Sequence, residues 1–154
     1  MIASPEIHLA SPSDARDIAL LSKNEIECGL GWAWTERRVR RSILDRNTNA
    51  VVARLGQSLA GFAIMEYGDE RAHLVLLGVS PEQRRRGIGT ALISWLENTL
   101  TVAGIRFVQV EVRETSRIAQ AFYASLGYEQ VNATYGYYRG REAAIHLVKE
   151  LSAG

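Results

Sequence analysis

The stretch over residues 75–92, VLLGVSPEQRRRGIGTAL, constrains the fold of this chain more than any other part of it. An apolar run over 74–79 suits a buried strand, and Pro81 ends it because proline cannot donate to a sheet ladder. Three arginines and the tripeptide Gly87-Ile88-Gly89 follow, and a helical pattern of apolar residues begins after them. The sequence therefore predicts a strand, a glycine-containing turn and a helix in immediate succession.

A turn of this kind suits a phosphate group. The first backbone N–H groups of a helix lack partners within the helix, and the helix dipole favours an anion there. Glycine lets the phosphate come close because it has no Cβ. Arg84, Arg85 and Arg86 add positive charge. The stretch predicts a pyrophosphate cradle, and the alternative is an ordinary helix N-terminus with a basic first turn.

Two common phosphate motifs do not fit this stretch. It is not a Walker A loop, because no Gly-Lys-Ser/Thr closes it, and it lacks a dinucleotide fingerprint because Leu92 stands where a third glycine would fall. It resembles the coenzyme A loop of the GNAT superfamily of N-acetyltransferases, whose signature is Gln/Arg-x-x-Gly-x-Gly/Ala. Here that signature reads RRRGIG from Arg84 to Gly89, after the Val-Ser-Pro-Glu of residues 79–82 that is also typical of the family.

Length and composition limit the classes of function. The 154 residues predict a single domain over 1–154. A net charge of +1 argues against a general binder of nucleic acid, although arginines cluster at 37–41 and 84–86. The lone Cys28 excludes an intrachain disulfide, no apolar run approaches the ~20 residues of a membrane span, and residues 1–10 do not read as a signal peptide. We therefore expect a cytoplasmic protein that binds neither membrane nor nucleic acid.

Periodicity and turn residues predict the order β-α-α-β-β-β-α-β-α-β-β. The strands are predicted at 6–10, 50–55, 59–67, 72–79, 106–113, 128–131 and 143–149, and the helices at 14–27, 36–45, 87–102 and 116–126. A three-residue loop at 56–58 joins two strands, and residues 132–142 form a loop rich in Tyr, Gly and Arg. The strand, helix and strand over 72–113 predict a parallel pair with a right-handed crossover.

This order resembles the GNAT fold, an α/β (α+β) fold with one mixed sheet, from end to end. A second similarity is the run from Val112 to Ser116 followed by Ala119, Phe122-Tyr123 and Leu126-Gly127-Tyr128, where family members often read Val-Arg-x-x-Asn, Ala, hydrophobic-Tyr and Leu-Gly-Phe. The third, YYRGREAAI at 137–145, looks like the tail of ribosomal-protein alanine N-acetyltransferases.

The resemblance implies acetyl-CoA as cosubstrate, no metal, and a cofactor site of known layout. The strands at 72–79 and 106–113 are expected to splay apart and admit the pantetheine arm along the backbone, with one N–H near Val79 polarising the thioester carbonyl. The residues implied in cofactor binding are Leu77, Gly78, Val79, Arg84, Arg85, Arg86, Gly87, Ile88, Gly89, Thr90, Ser116 and Tyr123. Ser116 stands where Asn is common, and Arg85 where Gly is common.

Acetyl transfer to an amine needs a base for the amine and an acid for the departing thiolate. Glu111, on the polar face of its predicted strand, matches the catalytic Glu of ribosomal-protein alanine acetyltransferases; Glu66 is a second candidate. Tyr123, twelve residues further on, matches the family tyrosine that protonates the thiolate. The alternatives are that Glu111 pairs with Arg113 or another surface charge, and that Tyr123 is a core residue with its hydroxyl at the rim.

The acceptor site is predicted from aromatic residues in two loops. Trp32 and Trp34 lie between the first two helices, and Tyr138 lies in the final loop; aromatic walls suit an amine or a small apolar side chain. The alternative for each tryptophan is a place at the edge of the core. The histidines His8, His73 and His146 have no metal-like spacing and are interpreted as structural.

The leading hypothesis is an acetyl-CoA-dependent N-acetyltransferase that transfers the acetyl group directly to a primary amine in a ternary complex. The acceptor stays open between a protein N-terminus and a small-molecule amine. The second hypothesis is a non-catalytic acyl-CoA-binding module, and the third is a nucleic-acid binder that uses the arginine clusters. A homodimer through a sheet edge is a further expectation from the resemblance.

Overall fold

The structure is a computed structural model that describes residues 5–26, 33–84, 86–138 and 142–151, with the backbone alone at 132–138 and 142. Short 3-10 turns at Pro12–Asp14 and Pro81–Gln83 precede two of the helices. In chain order the elements are β1 (Glu6–Leu9), α1 (Ala15–Glu25), α2 (Glu36–Leu44), β2 (Thr48–Leu55), β3 (Ser58–Tyr67), β4 (Arg71–Val79), α3 (Ile88–Ala103), β5 (Phe107–Arg113), α4 (Arg117–Ser125), β6 (Glu129–Tyr138) and β7 (Glu142–Glu150).

The strands form one mixed sheet of seven strands in the order β1-β2-β3-β4-β5-β7-β6. β4 and β5 pair in parallel, joined through α3, whereas the other neighbours pair antiparallel. The predicted mixed α/β fold is confirmed, including the parallel pair that the βαβ pattern indicates. β7 lies between β5 and β6, so the last two strands enter the sheet in the reverse of their chain order.

Each face of the sheet carries its own hydrophobic cluster. On one face α3 and α4 cover the sheet, where helix residues such as Leu92 and Leu96 pack with strand residues such as Val110. On the other face α1 and α2 pack Ile18 and Val39 against strand residues of β2 and β3. The apolar residues of β5 alternate with polar ones, so Val108, Val110 and Val112 share the α3/α4 face while Glu111 points to the α1/α2 face.

Local polar contacts fix where the first two helices begin. Asp14 accepts a hydrogen bond from the Ser11 backbone N–H at 2.8 Å and pairs with Arg54 of β2 at 2.6 Å. The Asp14 pKa lies below its usual value, because the bonds from Ser11 and Arg54 outweigh the opposing effect of burial. Thr35 caps α2, accepting from the Arg38 backbone N–H at 3.3 Å.

Two predicted boundaries are wrong. β6 runs on to Tyr138, over most of the segment that the sequence analysis treats as a loop, because antiparallel pairing with β7 satisfies its backbone and Thr and Tyr favour strands. The β2–β3 hairpin has a two-residue turn, since Leu55 pairs with Ser58, and Gly56 supplies the positive φ of 62° that such a turn needs.

No helix within the described ranges is both long enough and apolar enough to cross a bilayer.

Candidate active site

The site is organised by an opening in the sheet between β4 and β5. The two strands pair from Arg71 with Phe107 to Leu74 with Val110. Beyond that point β4 continues beside β3 and β5 continues beside β7, without pairing to each other. The opening is therefore bounded by residues 75–79 and 111–113, and its position agrees with the splay expected from the resemblance.

One edge of the opening presents backbone groups. The Ser80 N–H donates to the Ala60 carbonyl on β3 at 2.8 Å. Because successive residues of a strand direct their N–H and C=O groups to opposite sides, Gly78 shares that direction, and Leu77 and Val79 direct theirs into the opening. An extended chain such as pantetheine is able to pair there as an added strand. Gly78 has a packing role as well, since an added Cβ would lie 2.6 Å from the Phe62 ring.

The N-terminus of α3 stands at the end of the same edge. Gly87 is its N-cap with φ 77°, and nothing lies within 4 Å of where a Cβ would be. The first bond within the helix is donated by the Ala91 N–H to the Gly87 carbonyl at 2.9 Å. The amides of Ile88, Gly89 and Thr90 precede it and have no acceptor inside the helix. These amides fit a diphosphate, as the predicted cradle requires.

The arginines of the cradle already have partners on the protein. Arg84 pairs with Glu25 of α1 at 2.9 Å, with the arginine side chain 56% exposed, and Arg86 bonds to Gln83 at 3.0 Å. Exposed ion pairs of this kind contribute about 0–1 kcal/mol to stability. Arg84 therefore loses little when it exchanges Glu25 for a phosphate. Arg85 lies outside the described residues.

Glu111 lies at the base of the opening on the α1/α2 face, held by two histidines. Its Oε2 is hydrogen-bonded to His73 Nε2 of β4, and its Oε1 lies 3.3 Å from His146 Nδ1 of β7. The carboxylate side chain is 11% exposed. Its sequence neighbour Arg113 donates instead to the Ile26 carbonyl at 3.0 Å. The bonding of Glu111 therefore differs from the surface pairing with Arg113 that the sequence left open.

Glu111 and His73 shift each other's pKa. Burial works against ionisation of Glu111, but the hydrogen bond and charge of His73, with a further contribution from His146, leave the Glu111 pKa below its ordinary value. The His73 pKa is raised, mainly by its hydrogen bond to Glu111; burial opposes this, and the charges of Glu111 and Glu66 add to it. The site thus holds an ionised carboxylate beside an imidazole that titrates above its usual range.

Tyr123 lies on the opposite face of the sheet, on α4. The side chain is 6% exposed and belongs to the α3/α4 cluster with the valines of β5. Its ring makes edge contacts with Phe122 and Tyr128, at centroid distances of 5.1 Å and 5.4 Å. Phe122 in turn packs on Gly89 of the cradle, where an added Cβ would lie 3.1 Å from the ring. The glycine therefore lets α3 and α4 approach each other beside Tyr123.

The remaining predicted residues have mixed placements. Ser116 caps α4, its Oγ accepting from the Ala119 N–H at 3.4 Å. Trp34 is only 8% exposed, packs in the α1/α2 cluster and carries the Arg38 guanidinium over its ring at 3.8 Å, which favours the core alternative for this tryptophan. Trp32 lies outside the described residues. Tyr138 is the last residue of β6, and the structure describes its backbone alone.

His73 and His146 are the functional candidates that the sequence analysis missed. The period-two pattern places His73 on one face of β4, but it does not say which residue of β5 stands opposite. His146 is the direct partner of Glu111 only because β7 enters between β5 and β6. No set of three or more His, Cys, Asp or Glu within the described ranges is arranged to hold a metal ion.

Comparison with known proteins agrees with this geometry. The family model for the acetyltransferase (GNAT) family matches residues 19–128. The [ribosomal protein bS18]-alanine N-acetyltransferase of Escherichia coli K12 is 31% identical over 122 residues, covering 77% of this chain and 82% of that protein. An uncharacterised N-acetyltransferase of Methanocaldococcus jannaschii is 33% identical over 102 residues, 64% of either chain.

Solved structures share the fold. The crystal structure of the ribosomal-protein-S18-alanine N-acetyltransferase from Escherichia coli superposes with a TM-score of 0.85 at 24% identity, covering 97% of this chain and 96% of that one. The PaiA N-acetyltransferase from Thermoplasma acidophilum, in complex with coenzyme A, gives 0.82 at 19% identity over 97% and 100%. From the family match and the curated relatives, the chain belongs to the GNAT acetyltransferase family and transfers an acetyl group from acetyl-CoA to an amine.

Proposed function

We propose that the acceptor is the α-amino group of a peptide or protein N-terminus, and that Glu111 and Tyr123 serve as base and acid in a direct transfer within a ternary complex. The observation that carries this proposal is the opening between β4 and β5, with Glu111 on one face of the sheet and Tyr123 on the other. An amine that approaches from the α1/α2 face meets the carboxylate. A thiolate that departs toward the α3/α4 face meets the phenol.

The proton affinity of Glu111 favours an α-amine over a lysine. At pH 7.5, neutralising an α-amine of pKa ~8 costs about 0.7 kcal/mol, whereas a lysine of pKa ~10.4 costs about 4 kcal/mol. A carboxylate whose pKa lies below its usual value is a weak base and suits the easier task. The similarity to the bS18-alanine N-acetyltransferase of Escherichia coli points to the same class of acceptor.

A panel of acceptors tests the proposal by mass spectrometry. The panel contains a lysine-free peptide with a free N-terminal alanine, the same peptide with a blocked N-terminus and one internal lysine, and a polyamine. We expect acetylation of the first peptide only. Transfer to the polyamine or the lysine, with the free N-terminus unmodified, would overturn the acceptor class.

A pair of matched variants tests the base. Glu111→Gln should lower kcat/KM for the peptide by roughly 10²–10⁴-fold, the usual contribution of general base catalysis, without weakening acetyl-CoA binding. Glu66→Gln removes the other candidate carboxylate on the same face, and it should retain most of the activity. The reverse pattern would assign the base to Glu66.

We further propose that residues 1–154 act as one N-acetyltransferase domain in the cytoplasm, without binding membrane or nucleic acid. A homodimer would form through an exposed edge of the sheet, where β1 and β6 are the outer strands. Sedimentation of the protein with and without acetyl-CoA measures the oligomeric state, and a monomer at all concentrations would exclude the dimer.

A further inference from the structure

A row of titratable side chains crosses the α1/α2 face of the sheet just below the opening. Glu66 of β3 pairs across the sheet with His73 of β4, His73 is bonded to Glu111 of β5, and Glu111 pairs across the sheet with His146 of β7. Four neighbouring strands each supply one member. The carboxylate that the proposed function uses as base is therefore the centre of a larger cluster.

Both oxygens of that carboxylate are engaged. His73 holds Oε2 and His146 stands 3.3 Å from Oε1, so neither oxygen relies on solvent for its contacts. Exposure of the side chains increases outward, from 11% at Glu111 to 23% at His146 and 31% at His73. The two imidazoles therefore hold the carboxylate in place at the opening.

We propose that His73 is a positioning residue that acts through Glu111: its Nε2 hydrogen bond fixes the carboxylate at the opening, and its charge state sets how strongly that carboxylate takes the proton of the amine. This inference rests on the proposed function of Glu111 as base. A neutral His73 donates its Nε2 hydrogen to Oε2 of the ionised Glu111. When the N–H bond of the acceptor ammonium breaks, Glu111 accepts the proton and becomes a neutral carboxylic acid. Glu111 then releases that proton to solvent, so it returns to the carboxylate while His73 keeps its hydrogen on Nε2.

The charges around His73 favour its cationic form. Glu111 and Glu66 face it with negative charge, and both raise the His73 pKa. On the same face, Arg71 bonds to Gln109 at 3.2 Å and Arg113 bonds to the Ile26 carbonyl. His146 contacts the far oxygen of Glu111.

The proposal has a direct consequence for pH dependence. A protonated His73 donates to Glu111 with a full positive charge and makes the carboxylate a poorer proton acceptor. Turnover should therefore fall as the pH decreases through the raised His73 pKa. Protonation of the acceptor amine at low pH also slows the reaction, so the titration of the amine must be separated from the titration of His73.

The test measures kcat/KM against pH with two peptides that are identical except for an N-terminal residue that changes the α-amine pKa. If the pH at which kcat/KM falls on the acid side (the acid limb of the profile) differs between the two peptides, the titrating group is the amine. If that pH is the same for both peptides, the titrating group belongs to the enzyme. We expect a fixed acid limb in the wild type. In His73→Gln, which keeps an amide near the Nε2 position but cannot titrate, that limb should disappear, and kcat should fall roughly tenfold, a fraction of what base catalysis contributes. KM for acetyl-CoA should not change.

His8→Gln is the matched control, because His8 lies on the outer strand β1 and, among the residues that the structure describes, its ring bonds to the carbonyl of its neighbour Leu9 at 3.0 Å. Its pH profile should equal that of the wild type. A His73→Gln enzyme with the wild-type kcat and acid limb would overturn the proposal. If Glu111→Gln is also inactive in that case, the base assignment survives alone; a fully active Glu111→Gln enzyme would remove both.

A second measurement does not depend on the folding of a His73 variant. Nitrogen-15 spectra of the imidazoles give the titration midpoint of His73 in the wild type and in Glu111→Gln. We expect a midpoint above 6.5 in the wild type and a lower one in the variant, because Glu111 raises it. Equal midpoints in the two proteins would overturn the coupling on which the proposal depends.

Discussion

Two tyrosines in the same cluster have hydroxyl groups with different expected tasks. Tyr123 of α4 is the proposed general acid, whereas the neighbouring Tyr128 donates a hydrogen bond from its hydroxyl to Glu97 Oε2 of α3 at 2.9 Å. Tyr123→Phe should lower kcat by roughly 10²-fold or more with little change in stability, because a general acid contributes that much. Tyr128→Phe should lower the free energy of unfolding by about 1–2 kcal/mol and leave kcat unchanged. Steady-state kinetics and urea unfolding on both variants check this, and equal kcat values would contradict the role of Tyr123.

The pair His73 and Glu111 also makes stability depend on pH. Because the His73 pKa is raised in the folded state, its contribution is complete below the unfolded value of 6.5 and is lost as the pH rises through the folded pKa. The Glu111 pKa is lowered, so its contribution is present above 4.5 and is lost as the pH falls through the folded pKa. The stability difference between wild type and His73→Gln should therefore be larger at pH 5.5 than at pH 8.5 in urea unfolding. A larger difference at pH 8.5 would contradict the shifts.

At the scale of elements, α3 offers a comparison between its two ends. Gly87 and Gly104 cap it with φ values of 77° and 81°, and an added Cβ would meet nothing within 4 Å at either. Alanine at each position should cost about 1–2 kcal/mol of stability, since L-residues are strained in this region. Only Gly87→Ala should also weaken acetyl-CoA binding, roughly fivefold, because only that end carries the cradle. Calorimetric titration of both variants measures this, and equal affinities would exclude the cradle.

The sequence predicts the elements well where the signal is local. The glycine-capped start of α3, the parallel pair and the alternation that separates Glu111 from the β5 valines all follow from short patterns in the chain. β6 was predicted too short because its strand character depends on β7, a partner that local propensity does not reveal. Trp34 lies in the core because α1 and α2 close over it, and an aromatic in a loop gives no sign of that.

For the whole molecule, the arrangement of the sheet decides the chemistry of the site. β7 inserts between β5 and β6 and so places His146 beside Glu111, while β4 approaches from the other side with His73. His73 and Glu111 are 38 residues apart in the chain, so no local sequence pattern indicates that they make contact. The sheet also separates the two proposed catalytic residues, since the α1/α2 face holds Glu111 and the α3/α4 face holds Tyr123. The sequence predicts roles for Glu111 and Tyr123, but it gives no sign of the two histidines that contact Glu111.

Amide hydrogen exchange with and without coenzyme A tests most directly whether the opening between β4 and β5 receives the cofactor. The amides of Leu77 and Val79, directed into the opening, and those of Ile88, Gly89 and Thr90 at the start of α3 should exchange more slowly when coenzyme A is bound. The amide of Ser80, already bonded to Ala60, should change little and serves as the internal reference. Protection elsewhere, with these five amides unchanged, would contradict the account.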